Sequence, residues 1–399
     1  KLFITNVHYG GLVSVVCRID GKPQVLLVEI PDRDTDTFNI GHYRIHALTR
    51  LNNNSLIFTN HRVPKENLIQ LDKGDGLTVA YHGLNLGRIS LCANASGCMK
   101  AMLTSMIPWG QYRKTYGQPI MHRELVQERI GRLAGYILSS DALVAWCSGL
   151  IDKGYRGELE CIIAKTFGSE CQKEAAIDLC MKTHGGRSFL GGHIIGDNIH
   201  DLLAPLIYEG EGDMLNMAFF KSLVKEHGKT FFEPVGQLMS SLEKKSPSPM
   251  DVIRNHKTFT PYLNWMIREM LLPKSGIRPI GFNKDLVKHA NFAIKGLQKS
   301  GWEISSLMRK HQLRLSDRQC RMSILSRKIQ NLMTMMVTVC YAYAKADYLT
   351  AEIADVSCEN LMNKITGRHP TDSQIRKSIS LGEKLCCEQV SQKSILMKY

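Results

Sequence analysis

At about residue 77 the hydrophobic period of this chain changes from two to between three and four, and that switch limits what it can fold into. Before it, short apolar runs alternate with polar residues. Leu12 to Ile19 and Val25 to Ile30 flank Asp20-Gly21-Lys22-Pro23, which reads as a hairpin. Further strands fit residues 43–48 and 55–63, and Pro64 with Gly74-Asp75-Gly76 breaks the pattern. After the switch, Arg88-Ile89-Ser90-Leu91-Cys92-Ala93-Asn94-Ala95 runs into Met99 and Leu103 with small residues on one side, which suits a tightly packed helix. Val126, Ile130, Leu133 and Ile137 recur at helical spacing. Residues 158–182 make a third helix, rich in Ala and Cys, and 214–225 a fourth, entered through Glu211 and Asp213. Long helices on short links imply an antiparallel bundle.

Ser246-Pro247-Ser248-Pro249 reads as a linker. Beyond it the chain is helical again, with candidates at 285–299, 316–346, 349–365 and 372–389. Ser316-x-x-Gln319 fits a capping box and marks a helix start at Ser316. The expected fold is α+β, mostly α, with divisions at 1–76, 77–245 and 251–399. At 399 residues and 44% apolar composition there is material for two or three ordinary domains. The chain enters a strand pattern directly from Lys1, so it reads as a piece of a longer protein.

The net charge of +14 is uneven. Residues 1–250 carry 27 Lys and Arg against 25 Asp and Glu, whereas 251–399 carry 24 against 12. Such an excess attracts anionic lipid, nucleic acid or acidic protein. No nucleic-acid motif accompanies it, so nucleic acid is the least expected partner. The 12 cysteines show no C-x-x-C and no metal-finger spacing, which reads as reduced thiols in an intracellular compartment, with no metal site. The longest apolar run, 332–344, is about half of a bilayer span and reads as buried core.

One carboxylate stands out. In Leu206-Ile207-Tyr208-Glu209-Gly210-Glu211-Gly212-Asp213, Glu209 follows an apolar approach and precedes a glycine that lets other atoms come close. Apolar surroundings disfavour a charged carboxylate and raise its pKa, which makes a usable base near neutral pH. Taken alone, the tripeptide reads more readily as a solvated loop acid. Upstream lie Gly185, Gly186, Gly191, Gly192 and Gly196. They do not follow a strand as G-x-G-x-x-G, so a Rossmann fold is not supported. A helix C-cap and a close approach to a flat or phosphorylated ligand both fit them. Arg113-Lys114-Thr115-Tyr116-Gly117 offers an arginine shaped for bidentate phosphate contact.

The order of these pieces is more specific than any one of them. Lys1-Leu2-Phe3-Ile4-Thr5-Asn6 comes first, then Val63-Pro64-x-x-Asn67-Leu68, Gly74-x-Gly76 and Arg88 on a small-residue helix. Arg113-x-x-Tyr116-Gly117, His184-Gly185-Gly186 and Tyr208-Glu209-Gly210 complete the series. Over roughly residues 1–225 it closely resembles the acyl-CoA dehydrogenase family. The resemblance implies a flavoprotein with FAD between a partial middle β-domain (1–76) and a C-terminal four-helix bundle (77–245), followed by an additional helical region (251–399). It implies Glu209 as the base that removes the α-proton of a fatty acyl-CoA. The β-hydrogen leaves as hydride to the flavin, giving the trans-2-enoyl-CoA of fatty acid β-oxidation. On the same match Phe3 and Thr5 lie beside the flavin ring and Arg113 holds its pyrophosphate. Gly185 and Gly186 meet the cofactor of a neighbouring subunit, Lys182 and Glu211 fall at cofactor positions, and Arg88, Tyr208 and Gly210 lie at the acyl-CoA. Electron-transferring flavoprotein is the implied acceptor.

Three departures are visible. Lys182 stands where the family commonly has Gln, Glu211 where it has Thr, and His200-Asp201 replaces an Arg-Asp pair. The family's N-terminal helical domain and the first part of its β-domain have no counterpart here. This chain alone is therefore expected to bind FAD poorly and to turn over little. Residues 251–399 resemble the extra helical region of very-long-chain members, which act at membrane surfaces as homodimers. That implies a long-chain substrate and, with the basic excess, attachment to an anionic membrane surface. Bacterial cytoplasm and the mitochondrial matrix or inner-membrane surface are the expected locations. Two other readings share the fold: a non-catalytic scaffold, kept open by Lys182, His200 and Glu211, and an acyl-CoA oxidase, which passes electrons to oxygen. Retention of Glu209 favours an enzyme.

Overall fold

The switch of period coincides with the start of helix α1 (Gly76–Tyr112). The computed structural model describes residues 1–70, 74–243, 248–271 and 283–387. These fall into two compact units, 1–109 with 147–209, and 110–146 with the described residues from 210 onward. The fold is mostly α with small antiparallel sheets, as the sequence predicts.

In the first unit, strands β1 (Ile4–Thr5), β4 (Phe38–His42) and β5 (Asn53–Phe58) form one sheet in the order β1-β5-β4. Strands β2 (Leu12–Ile19) and β3 (Lys22–Glu29) form the expected hairpin, with Ile19 opposite Lys22. Its two-residue turn needs positive φ at both positions, and Asp20 (+51°) and Gly21 (+76°) supply it. Ile30, Phe38, Ile40 and Leu56 make the core beneath the strands.

The strand expected at 43–48 does not form; the ladder ends at His42. The cause is tertiary. Asp201 captures the backbone N–H of Leu48, His46 stacks on His200 at 5.4 Å, and Leu48 takes φ +57°. The strand expected at 55–63 runs from Asn53 to Phe58.

Helix α1 buries Ile89, Cys92, Ala95, Met99, Met102, Leu103 and Met106, a stripe at helical spacing. Helix α2 (Glu124–Asp152) follows, then α3 (Glu158–Glu174), which continues through a π-helical turn at Ala175–Met181 to Lys182–His184. The small residues let α1 and α3 meet closely: a Cβ on Gly168 would stand 3.0 Å from the Cα of Cys92.

In the second unit, α2 contributes Val126, Ile130, Leu133 and Ile137 to the core. By length and composition α2 alone among the described helices could cross a bilayer, yet 56% of its apolar window is buried, which marks a core helix. Helices α4 (Gly212–His227), α5 (Lys284–His311), α6 (Gln319–Lys345), α7 (Tyr348–Thr366) and α8 (Asp372–Cys386) belong to the same unit, with the helical segments Glu233–Ser241, Pro249–Arg254 and His256–Leu271 between α4 and α5. Helix α6 packs on α4, α5 and α7, and Leu332, Met335, Val337, Val339 and Ala342 are buried there, so most of the apolar run 332–344 is core, with Cys340 and Tyr343 exposed.

Two expected boundaries differ. Ser316 does not cap a helix: residues Gln312–Asp317 form a 3-10 turn, and α6 starts at Gln319 with Arg318 before it and no side-chain cap. A residue already held in helical backbone cannot take the extended conformation an N-cap needs. The linker at 246–249 lies partly outside the described residues; Ser248 is a capping-box N-cap for Pro249–Arg254. The end of the helix expected at 372–389 also lies outside them.

Candidate functional site

Glu209 ends the first unit in a left-handed backbone conformation, φ +58°, and Gly210 follows at +103°. A non-glycine residue held there is strained, and such strain clusters at functional sites. The turn carries the Glu209 side chain against α1. A Cβ built on Gly87 would stand 3.5 Å from the Glu209 Cδ. Oε2 of Glu209 is shielded from solvent and has no partner among the described residues.

Arg88, the next residue on α1, is buried. Its Nη1 donates to Asn85 Oδ1 at 3.1 Å, while its Nε is buried without a partner among the described residues. An orphaned buried polar atom costs about 1–3 kcal/mol, so the Glu209 acceptor and the Arg88 donor each call for a partner. Burial, then the charges of Glu209, Asp201 and Cys98, hold the Tyr208 hydroxyl above its usual pKa, so it stays a neutral donor.

The glycine loop lies in the same unit. Gly185 takes φ +63°, and a Cβ at either Gly185 or Gly186 would meet nothing within 4 Å. His184, 3% exposed, sits beneath them, 3.1 Å from Ser105 Oγ and stacked on Trp109. Burial first, then the charges of His193 and Arg187, push the His184 pKa down to about 4, so the imidazole is neutral at physiological pH. Arg187 lies over the Trp109 ring at 4.6 Å. Lys182 is exposed and ion-paired with Asp178 at 2.6 Å, one turn back on its own helix. Phe3 is exposed and stacked on Tyr43 at 4.8 Å, and Thr5 Oγ1 donates to Asn53 Oδ1.

The structure thus gathers Arg88, Tyr208 and Glu209 in one unit and places Phe3, Thr5, Lys182, Gly185 and Gly186 there too. Arg113, Gly210 and Glu211 belong to the second unit. Arg113 is exposed. Glu211 is the N-cap of α4, its carboxylate accepting from the N–H groups of Asp213 and Met214, each at 3.0 Å. An acid at a helix N-terminus is favourable, which accounts for Glu at this position.

Sequence reasoning missed Asn85 and Gly87, and His184 entered only within the motif His184-Gly185-Gly186. The first carried a signal: Asn and Arg three residues apart on a helix lie side by side. Elsewhere, in the second unit, His289, Asp355 and Glu359 bring ligand atoms within 4.8 Å of one another. Lys377 already fills that cluster, donating to Asp355 at 2.6 Å and Glu359 at 3.0 Å, so it is an internal ion network.

Residues 74–223 match the family described as "Acyl-CoA dehydrogenase, C-terminal domain". An acyl-CoA dehydrogenase of Bacillus subtilis is 27% identical over 230 residues, covering 56% of this chain and 59% of its own length. The very long-chain specific acyl-CoA dehydrogenase of Rattus norvegicus mitochondria is 29% identical over 167 residues, 42% of this chain and 25% of its own. The chain therefore spans less than two thirds of these relatives. Among solved structures, an acyl-CoA dehydrogenase complexed with FAD from Bacillus anthracis aligns with TM-score 0.72 at 19% identity, covering 97% of this chain and 69% of that one. Acyl-CoA oxidase 1 of Yarrowia lipolytica aligns with TM-score 0.63 at 15% identity, covering 94% of this chain and 60% of that one. These two likenesses concern the fold alone.

Proposed function

We propose that this chain, whose residues 74–223 belong to the acyl-CoA dehydrogenase C-terminal domain family, carries the base of an FAD-dependent α,β-dehydrogenation of a long-chain fatty acyl-CoA. The observation that carries the reading is the Glu209 carboxylate, with Oε2 buried and unpartnered against Gly87. The α-proton of a thioester is weakly acidic, and a carboxylate shielded from water is the group to take it.

The side chains divide the work. Glu209 Oε2 accepts the proton as the Cα–H bond breaks, and the electron pair left behind becomes the Cα=Cβ bond. Arg88, which the resemblance puts at the acyl-CoA, brings a buried positive charge to the same unit. The strained turn at Glu209 and the side-chain-free Gly87 fix where the carboxylate stands. Bound FAD supplies the acceptor for the hydrogen that leaves Cβ. The residues fit that cofactor. Gly185 and Gly186 leave open space for a close approach, and in the same unit Phe3 offers an exposed aromatic ring. Lys182 and Glu211 are engaged within the protein, so the proposal leaves them out of the cofactor's direct contacts.

The similarity to a very long-chain specific relative supports the long-chain substrate. Homodimerisation, electron-transferring flavoprotein as acceptor and attachment of 251–399 to an anionic membrane surface belong to the same proposal, the last resting on the basic excess of that segment. An acyl-CoA oxidase, whose fold also extends over 94% of this chain, is the second reading.

The test is exchange of the substrate α-proton with D2O, followed by mass spectrometry, on the chain with and without added FAD. Exchange that disappears in Glu209→Gln, at unchanged thermal midpoint, supports the reading; exchange that survives sinks it. Hydrogen peroxide formed during turnover would select the oxidase.

A further inference from the structure

The glycine loop carries a cation that the function above does not use. Arg187 follows Gly185-Gly186 directly and is exposed, and its guanidinium lies over the Trp109 ring at 4.6 Å. The ring is itself anchored. Trp109 Nε1 donates to the carbonyl of Thr183 at 3.2 Å, and the indole stacks on His184 with centroids 5.8 Å apart and planes 17° from parallel. His184 is held in turn by Ser105 at 3.1 Å. Trp109 and the loop belong to the same compact unit. A guanidinium resting on a fixed aromatic face has given up rotamers before any ligand arrives, so less freedom is lost on binding.

The charges around the loop single out Arg187. Lys182 is committed to Asp178 at 2.6 Å, and Asp197 accepts from the Gly192 N–H at 2.8 Å. His184 is neutral, and burial, then the charge of Arg187, hold His193 below its ordinary pKa against the opposing pull of Asp197. Arg187 has no ion-pair partner among the described residues. Its planar fork of N–H donors is the shape that holds a phosphate bidentately. The two glycines beside it put no side chain in the way, since a Cβ at either would meet nothing within 4 Å.

We propose that Arg187, resting on Trp109, is the cation that this glycine loop presents to the diphosphate of a bound nucleotide, in place of Lys182. The inference rests on the function proposed above, whose cofactor carries such a diphosphate. It goes beyond that reading in assigning the contact to a residue that the ordered motifs leave out, and in giving Trp109 the role of its platform. FAD and coenzyme A both carry an adenosine diphosphate, so the two ligands are tested separately.

The experiment titrates the full chain with FAD and, separately, with a non-reacting acyl-CoA thioether by calorimetry, for the wild type, Arg187→Gln, Arg187→Lys and Lys182→Gln. Thermal midpoints of the four proteins accompany the titrations. One hydrogen bond to a charged group corresponds to about a tenfold change in affinity. The expected result is a loss of about tenfold for FAD in Arg187→Gln, at an unchanged thermal midpoint, with Lys182→Gln binding as the wild type does. Arg187→Lys should recover only part of the loss, because lysine keeps the charge and gives up the fork. The same loss for the thioether in place of FAD supports the site and assigns its diphosphate to coenzyme A. Unchanged affinity for both ligands in Arg187→Gln overturns the proposal, as does an equal loss in Lys182→Gln, which would show only the effect of surface charge. A wild-type chain that binds neither ligand overturns the function reading and this inference with it. Binding that follows the expected pattern while α-proton exchange survives Glu209→Gln overturns the assigned base and leaves Arg187 standing.

Discussion

Gly87 lies directly against the carboxylate of Glu209: a Cβ added to it would stand 3.5 Å from both Cδ and Oε1. That is ordinary contact, so an alanine methyl fits. Gly87→Ala removes a glycine from a helix interior and is expected to stabilise the chain by about 0.5–1 kcal/mol, read as a higher denaturant midpoint. Gly87→Val directs a further methyl at the carboxylate. Displacing a reacting group by about 1 Å costs roughly 10²-fold, so α-proton exchange should fall by that order while the fold persists.

Glu211 serves its own helix. Removing the cap in Glu211→Ala should cost about 1 kcal/mol, seen in urea unfolding, and Glu211→Thr should recover most of it. Equal midpoints for Glu211→Ala and the wild type would show that the cap is unimportant.

His184 predicts an acid-sensitive fold. Its pKa is about 4 in the folded chain against 6.5 unfolded, because burial opposes the charge and His193 and Arg187 add to that opposition. As pH falls from 6.5 towards 4 the unfolded chain takes up a proton that the folded chain refuses, and stability drops, on the order of 2 kcal/mol over the window. Unfolding midpoints at pH 7 and pH 5 measure the drop, and His184→Gln should make it shallower. A drop of the same size in both proteins would assign it to other groups.

The network around Asp355 has a limit at each end of the pH scale. Burial raises the Asp355 pKa, but hydrogen bonds from His289 and Lys377 outweigh it and hold the carboxyl below its usual range. Its stabilisation is present above the unfolded value of 3.8 and is lost as pH falls through the lowered folded value. Burial pulls Lys377 down, yet Asp355 and Glu359 raise it well above 10.5, so its contribution holds at neutral pH and fades only in strong alkali. Lys377→Met leaves two buried carboxylates facing each other and should cost about 2 kcal/mol at pH 7, discounted because Lys377 is partly exposed. Adding Asp355→Asn should recover part of that loss, which a double-mutant cycle reads directly.

Much of the fold was legible because it depends on neighbours in sequence. The hairpin follows from turn residues at Asp20-Gly21, the start of α1 from the change of period, and the burial of 332–344 from an apolar run too short for a membrane. The expectations that failed depend on distant residues. Residues 43–48 have strand composition, but the Asp201 carboxylate, 153 positions away, takes the Leu48 N–H. Ser316 has the capping pattern, but the preceding 3-10 turn holds its backbone.

The candidate site divides in the same way. Sequence alone determined that Glu209 is a carboxylate between an apolar run and a glycine, in an ordered series of motifs, because residue identity and spacing are local properties. Only the tertiary structure decided that its Oε2 is buried without a partner among the described residues, that Gly87 stands against it, and that Asn85 bridges Arg88 and the Arg156 carbonyl. Desolvation and hydrogen-bond satisfaction depend on which atoms the folded chain brings together, and no period or motif in one dimension carries that information.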